Sequence, residues 1–255
     1  MFKLLKYALY DILKSRFALI YTLFLALVAV SIYQVSDDLS KVSLSLMNIM
    51  VLFIPLIAAV FATTHFYNNL EFIELMLAQP VKRFHVFVSQ LLAVVVMLSL
   101  SLVIGFGLPM LIWGADSSLI TLLSVGVILS VVFAGFAFLA SVLTRDKAKA
   151  VGASLALWIY FSLVYDGLVL YVIYSFADYP LEKATLAMVL LNPVDLGRIL
   201  MLMQLDISAL MGYTGAFFQQ FFSSGYGVVI AGIALVIWML IPNVLATRVF
   251  RRRDF

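Results

Sequence analysis

EFIELMLAQPVKRFHVFVSQ occupies residues 71–90 and is one of the few places where charge interrupts a greasy chain. Glu71 and Glu74 open the stretch, Pro80 breaks it, and Lys82, Arg83 and His85 follow. Long apolar runs lie on both sides. Charged side chains are costly in hydrocarbon, so such a segment reads as a short water-exposed crossover between two membrane spans. Phe72, Ile73, Leu75, Met76 and Leu77 suit an amphipathic helix just beneath the membrane. Glu71 and Glu74 sit near its N-terminal end, where carboxylates favour the helix dipole. Pro80 stops the helix, and Lys82-Arg83 anchors the next span against lipid phosphates. Spacing alone suits two readings equally: an ordinary loop helix lying on headgroups, or a handle by which another protein drives this one.

The composition agrees with a membrane chain. Of 255 residues, 65% are hydrophobic and 11% charged, whereas a soluble domain carries about 45–50% apolar and about 25% charged residues. The mean hydropathy is +1.15, and several apolar stretches have no polar face, which excludes a soluble helical protein. The expected fold is an all-α integral membrane protein forming one polytopic domain over residues 1–255, with no appended soluble domain. There is no cysteine, which excludes disulfides, thiolate metal sites and a cysteine nucleophile. The net charge of +3 sits at the membrane flanks, so a nucleic-acid partner is not expected. Residues 1–16 carry cations throughout and lack a small-residue cleavage site, unlike a cleavable signal peptide. Leu4, Leu5, Ala8, Leu9, Ile12 and Leu13 recur at helical spacing there. This predicts an N-terminal interfacial helix, the alternative being a plain extension of the first span.

Six spans are expected, at about 17–34, 44–65, 84–113, 119–143, 151–176 and 226–249. Each supplies enough apolar residues to cross a core of about 30 Å as a helix. Pro55 and Pro242 are expected kinks, and Pro109 is expected to bend or end the third span. One set of ends holds Lys3, Lys6, Lys14, Arg16, Lys82, Arg83, Arg145, Lys147, Lys149, Arg248, Arg251, Arg252 and Arg253. The other holds only Lys41, Lys183 and Arg198. The positive-inside rule then places both termini and the 71–83 crossover in the cytoplasm. Residues 177–225 form a large external loop that is too apolar to hang in water. Short helices on or dipping into the outer surface are expected, with Asn192 or Asp195 capping one that starts near Pro193. No internal repeat is visible, which weakens an inverted-repeat carrier.

Asp166, in the fifth span beside Tyr165, is the acid that most needs an explanation. A carboxylate in a span faces a bundle interior, a partner or a cavity. Asp166 therefore lines a path or a dimer seam with Tyr165, or is structural glue held neutral by a hydrogen bond. No metal site is assigned. Met201 and Met203, in a Met-x-Met on the outer side, are the residues a Cu(I) site would use. His65 and His85 both lie at the cytoplasmic edge, and no His-Glu-x-x-His exists, which leaves an intramembrane protease without its machinery. No phosphate-cradling Gly-Lys occurs either. If ATP drives this protein, the ATPase is another polypeptide and a cytoplasmic contact must transmit its motion. The 71–83 element is the first candidate. Arg145, Asp146 and Lys147, between spans four and five, are the second, although basic residues there could serve topology alone. A secondary carrier, a channel or a structural anchor for an external assembly protein stays open as the alternative.

Glu71, Leu75, Met76, Leu77, Pro80, Val81 and Arg83 form an acid, a short apolar helix and a P-V-x-R turn. This resembles the cytoplasmic crossover of ABC-2-type permeases, with Phe72-Ile73 and Ser89-Gln90 standing where Gly-Thr and Gly-Lys pairs are common. An interfacial helix, six spans, a large last external loop and a basic C-terminus fit the same family. Tyr165-Asp166 and LNPVDLGR at 191–198 look like the membrane subunit of the Nos-type transporters, which serve maturation of the copper enzyme nitrous oxide reductase. The resemblance implies a non-catalytic homodimeric permease in a bacterial inner membrane. It implies a coupling helix between spans two and three that carries Glu71, Phe72, Glu74, Leu75, Met76, Pro80 and Arg83. It further implies a cytoplasmic ATPase dimer that binds ATP and Mg²⁺, this chain itself binding no cofactor. A periplasmic accessory protein would dock near Asn192, Pro193, Asp195 and Arg198, and the cargo would be copper-related or sulfur-related.

Overall fold

A computed structural model describes residues 2–36, 38–179, 181–204 and 226–252, and these contain helices and no strand. Residues 205–225 of the expected external loop, and Arg253 of the basic C-terminus, lie outside the described residues. The chain starts with α1 (Phe2–Leu13), which buries Ala8 and Ile12 and exposes Tyr7 and Tyr10. This amphipathic helix packs along the third span.

Polar residues start most of the spans. The Ser15 hydroxyl accepts from the Ala18 N–H to open α2 (Arg16–Val35). Asp38 accepts from Ser40 at 2.9 Å to open α3 (Leu39–Asn68), which is longer than the expected 44–65 because this cap lies further upstream. Then come the short α4 (Leu70–Leu77) and α5 (Arg83–Trp113). Asp116 accepts from Leu119 at 2.9 Å to open α6 (Ser117–Leu143). Asp146 does the same for Lys149 at 2.9 Å, opening α7 (Lys147–Ile159). These caps satisfy backbone N–H groups that the helix leaves orphaned.

A π-helical turn, Tyr160–Val164, joins α7 to α8 (Tyr165–Ser175) within one span. After it come α9 (Glu182–Leu190), α10 (Pro193–Gln204) and α11 (Tyr226–Arg252). Among the described residues six helical stretches are long and apolar enough to cross a membrane: α2, α3, α5, α6, α7 continued by α8, and most of α11. Pro55, Pro109 and Pro242 all lie inside helices, so Pro109 does not end its span. That end comes at Gly114, whose φ of 107° is readily reached only without a side chain.

The α6 helix is the axis of the bundle, packed against α3, α5, α7, α10 and α11. It has no polar face, so it can be covered on all sides. Its serines do not disturb this: Ser130 and Ser141 donate to the carbonyls of Gly126 and Ala137, each at 2.8 Å. Near the basic loops, Phe66, Phe87, Phe138 and Phe250 lock α3, α5, α6 and α11 together by edge-on and tilted ring contacts. Elsewhere α2 comes so close to α5 that a Cβ on Gly105 would stand 2.6 Å from Leu25 Cβ. A small residue is required at such a crossing.

Candidate functional site

Two polar regions interrupt the apolar bundle, one at each end. At the basic-loop end, α4 turns Ile73, 1% exposed, inward against the start of α5. Glu71, Glu74, Leu75 and Ala78 are all exposed. They stand at i, i+3, i+4 and i+7, so one face of the helix carries both carboxylates and Leu75 outward. Phe72 stacks on Tyr7 of α1, with ring centroids 5.7 Å apart and planes 18° apart. Met76 and Leu77 lie half-buried against the core. Pro80 is exposed in the turn that follows, and the Arg83 guanidinium reaches the Arg251 carbonyl at 3.5 Å. Thus α4 is fastened to α1 and to α5, and the start of α5 is joined through Arg83 to the end of α11.

The second basic loop joins the same assembly. Lys147 Nζ donates to Asn68 Oδ1 at 2.9 Å, one residue before the α3–α4 junction. Tyr67 donates to the Thr144 carbonyl at 3.1 Å. Asp146 is spent capping α7, and Arg145 is exposed. His65, read from sequence as interfacial, is instead buried; its Nε2 donates to Gln90 Oε1 at 3.0 Å and joins α3 to α5. The two loops singled out by sequence therefore form one surface, with Asn68 and Asn69 between them.

At the opposite end α9 and α10 meet at 115° and fold back into the bundle as a hairpin. Its tip is Leu191-Asn192. Asn192, 0% exposed, makes three contacts. Its Oδ1 accepts from the Val194 N–H at 2.9 Å, which caps α10 with Pro193 in the first helical position. Its Nδ2 donates to the Phe161 carbonyl at 2.8 Å and to Asp195 Oδ2 at 2.9 Å. Phe161 belongs to the π-helical turn, where the backbone pattern is altered and a carbonyl can accept from outside the helix. Tyr165 donates to the Met188 carbonyl at 2.7 Å, and Trp238 of α11 donates to the Leu190 carbonyl at 3.1 Å. The last turn of α9 is thus tied to two spans, the Met188 carbonyl accepting from Tyr165 as well as from the Leu191 N–H at 3.0 Å.

Asp166 lies past the midpoint of its span and takes 2.8 Å from Arg198 Nη1, which also reaches Asp195 Oδ1 at 3.4 Å. Tyr165, Asp166, Asn192, Asp195 and Arg198, two separate groups in the sequence, converge here. Asn192, Pro193 and Asp195, expected to meet an external partner, lie inside the fold, and Arg198 is bound to two carboxylates. Sequence reading missed the Asp166–Arg198 pair, the π-helical turn and the Trp238 bond. One signal for the pair was present: an acid within a span needs a cation, and Arg198 sits in an apolar stretch with no other use. Met201 and Met203 are not brought together. Two positions apart on α10, Met201 joins the main core and Met203 a smaller cluster with Leu196 and Leu235.

A family model described as ABC-2 family transporter protein matches residues 4–255. The chain is also similar to a protein of Stutzerimonas stutzeri described as "Probable ABC transporter permease protein NosY", 27% identical over 95% of each chain.

Proposed function

The chain belongs to the ABC-2 family of transporter proteins and is a multi-pass permease subunit, and on that premise we propose that α4 is its coupling helix. A separate cytoplasmic ATPase, which binds ATP and Mg²⁺, receives the outward face with Glu71, Glu74 and Leu75. Phe72 and Met76 hold the helix to the bundle, and Pro80 and Arg83 fix its membrane end. Arg145, Asp146 and Lys147 give a second contact to the same partner, tied to the first through Asn68. The observation that carries this reading is the two-sided character of α4: both carboxylates point outward, while the opposite side is clamped to α1 and α5. A helix held on one side and bare on the other passes a push from a partner into the spans.

On this reading α1 lies in the interface plane, both termini are cytoplasmic, and the protein sits in a bacterial inner membrane as a homodimer. The resemblance of Tyr165-Asp166 and residues 191–198 to the Nos-type permeases, together with the 27% identity to the NosY permease, favours a copper-related or sulfur-related cargo handed to a periplasmic accessory protein for nitrous oxide reductase maturation. That partner would approach the outer ends of α9 and α10, since Asn192, Pro193 and Asp195 are engaged within the fold.

The test is to look for a soluble P-loop ATPase in a reading frame adjacent to this chain's and to reconstitute the two proteins. The ATPase should co-purify in mild detergent, and its ATP turnover should rise on complex formation. Reversing Glu71 and Glu74 to lysine should remove that rise while leaving the thermal unfolding of the permease unchanged. Full stimulation by the doubly reversed protein would sink the assignment.

A further inference from the structure

A cleft of about 300 Å³ lies between α8 and the α9–α10 hairpin. Val169, Leu170 and Ile173 form one wall, and Val189, Ile199 and Leu202 are among the residues of the other. Asp166, Asp195 and Arg198 line the same cleft. Leu170, 67% exposed, stands at its rim, so the cleft is open on the flank of the bundle.

Two properties of this cleft need a ligand. The first is charge. Two carboxylates share one nitrogen of a single guanidinium among apolar walls. The second is access at depth. The span Lys147–Ser175 has 29 residues, about 43 Å at about 1.5 Å per residue. Centred on a hydrocarbon core of about 30 Å, it puts Asp166 roughly 7 Å inside the boundary. Yet the side chains of Arg198 and Asp166 are 32% and 30% exposed. Charged groups left open to acyl chains are costly, so a polar group covers them.

We propose that this cleft binds an amine-headed phospholipid of the surrounding bilayer. The lipid ammonium sits on Asp166 and Asp195, the phosphate on Arg198, and the upper part of one acyl chain on Val169, Leu170 and Leu202. An ammonium brings N–H donors to two carboxylates that share one nitrogen of Arg198. A guanidinium carries five N–H donors, and the two carboxylates draw on one nitrogen only, so it can serve a phosphate as well. A headgroup on Asp166 sits roughly 7 Å inside the hydrocarbon boundary, and the apolar walls accommodate the chain that follows it. An anionic lipid brings no ammonium and meets two carboxylates. The proposal goes beyond coupling to an ATPase and needs only the membrane location, so loss of ATPase binding would leave it standing.

The experiment uses the full chain, purified in mild detergent, with dioleoyl phosphatidylethanolamine and dioleoyl phosphatidylglycerol added in equal amounts. Bound lipids are counted by native mass spectrometry. The ethanolamine lipid should be retained over the glycerol lipid by about tenfold, the value of one charge-assisted bond. Asp166→Asn should abolish the preference. Leu170→Trp, at the exposed rim, should block the cleft without disturbing folding and should cut ethanolamine-lipid retention by a similar factor. Equal retention of the two lipids, or unchanged retention in Leu170→Trp with a normal melting curve, overturns the proposal. So does a Leu170→Trp protein that loses self-association instead of lipid, since a second copy would then be what covers the cleft.

Discussion

Arg198 holds more of the hairpin end together than its place in a loop suggested. It meets Asp166 on one element and Asp195 on its own helix. Removing the cation leaves two partly buried carboxylates facing each other. Arg198→Met should therefore cost about 2 kcal/mol, less than the roughly 3–5 kcal/mol of a fully buried pair because a third of the side chain is exposed. Adding Asp166→Asn should recover part of the loss, since the pair is worth less than the penalty of orphaning either charge. Thermal unfolding of the purified full chain measures both. An Arg198→Met protein that melts with the wild type would show that the pair contributes nothing. Tyr7 and Phe72 give a second residue-scale test. Their stacking should appear as a coupling of about 0.5–1.5 kcal/mol in a double-mutant cycle of the two alanine variants.

Two short elements carry the interpretation, and they differ in legibility. The α4 helix could be read directly: an acid, an apolar run and a proline define a helix with two faces. The structure adds its fastening to α1 through Tyr7, a residue distant in the chain, and ties its neighbours through Asn68–Lys147 and Arg83–Arg251. The α9–α10 hairpin was legible only as apolar helices around Pro193. Its depth follows from bonds that no periodicity encodes, above all Asn192 to Phe161 and Trp238 to Leu190. Close approach to α6 completes the docking: a Cβ on Gly197 would stand 2.7 Å from Val125 Cγ1. Gly197→Val should cost about 1–3 kcal/mol by overpacking. It should also increase proteolytic cutting between α8 and α9 by a protease added from outside. Wild-type resistance in that variant would mean that the hairpin is not seated on α6.

At the scale of the molecule, burial is uneven. The α6 axis is enclosed, while Leu19, Leu23 and Leu27 of α2, Leu170 and Tyr174 of α8, and Ile233 and Ile237 of α11 are exposed. Such flanks suit lipid or a second subunit, and the six spans with clustered cations suit an even crossing number. Reporter fusions should find both termini on one side of the membrane, and Ser36 and Gly114 on the other. Termini on opposite sides would require a seventh crossing, for which the bent α9–α10 pair is the available segment.

The membrane location, the helical class, the number of long spans and the position of the coupling candidate were determined by the sequence alone. Each follows from one-dimensional quantities: length of apolar run, spacing of charges, and the breaks at proline. Tertiary structure decided what happens to the polar residues inside. Asp166 and Arg198 lie 32 positions apart and find each other only when the hairpin folds back. His65 is buried only because Gln90 arrives from the neighbouring span. In an apolar medium a polar group takes whatever partner the fold delivers, and that partner is set by packing in three dimensions, not by its neighbours along the chain.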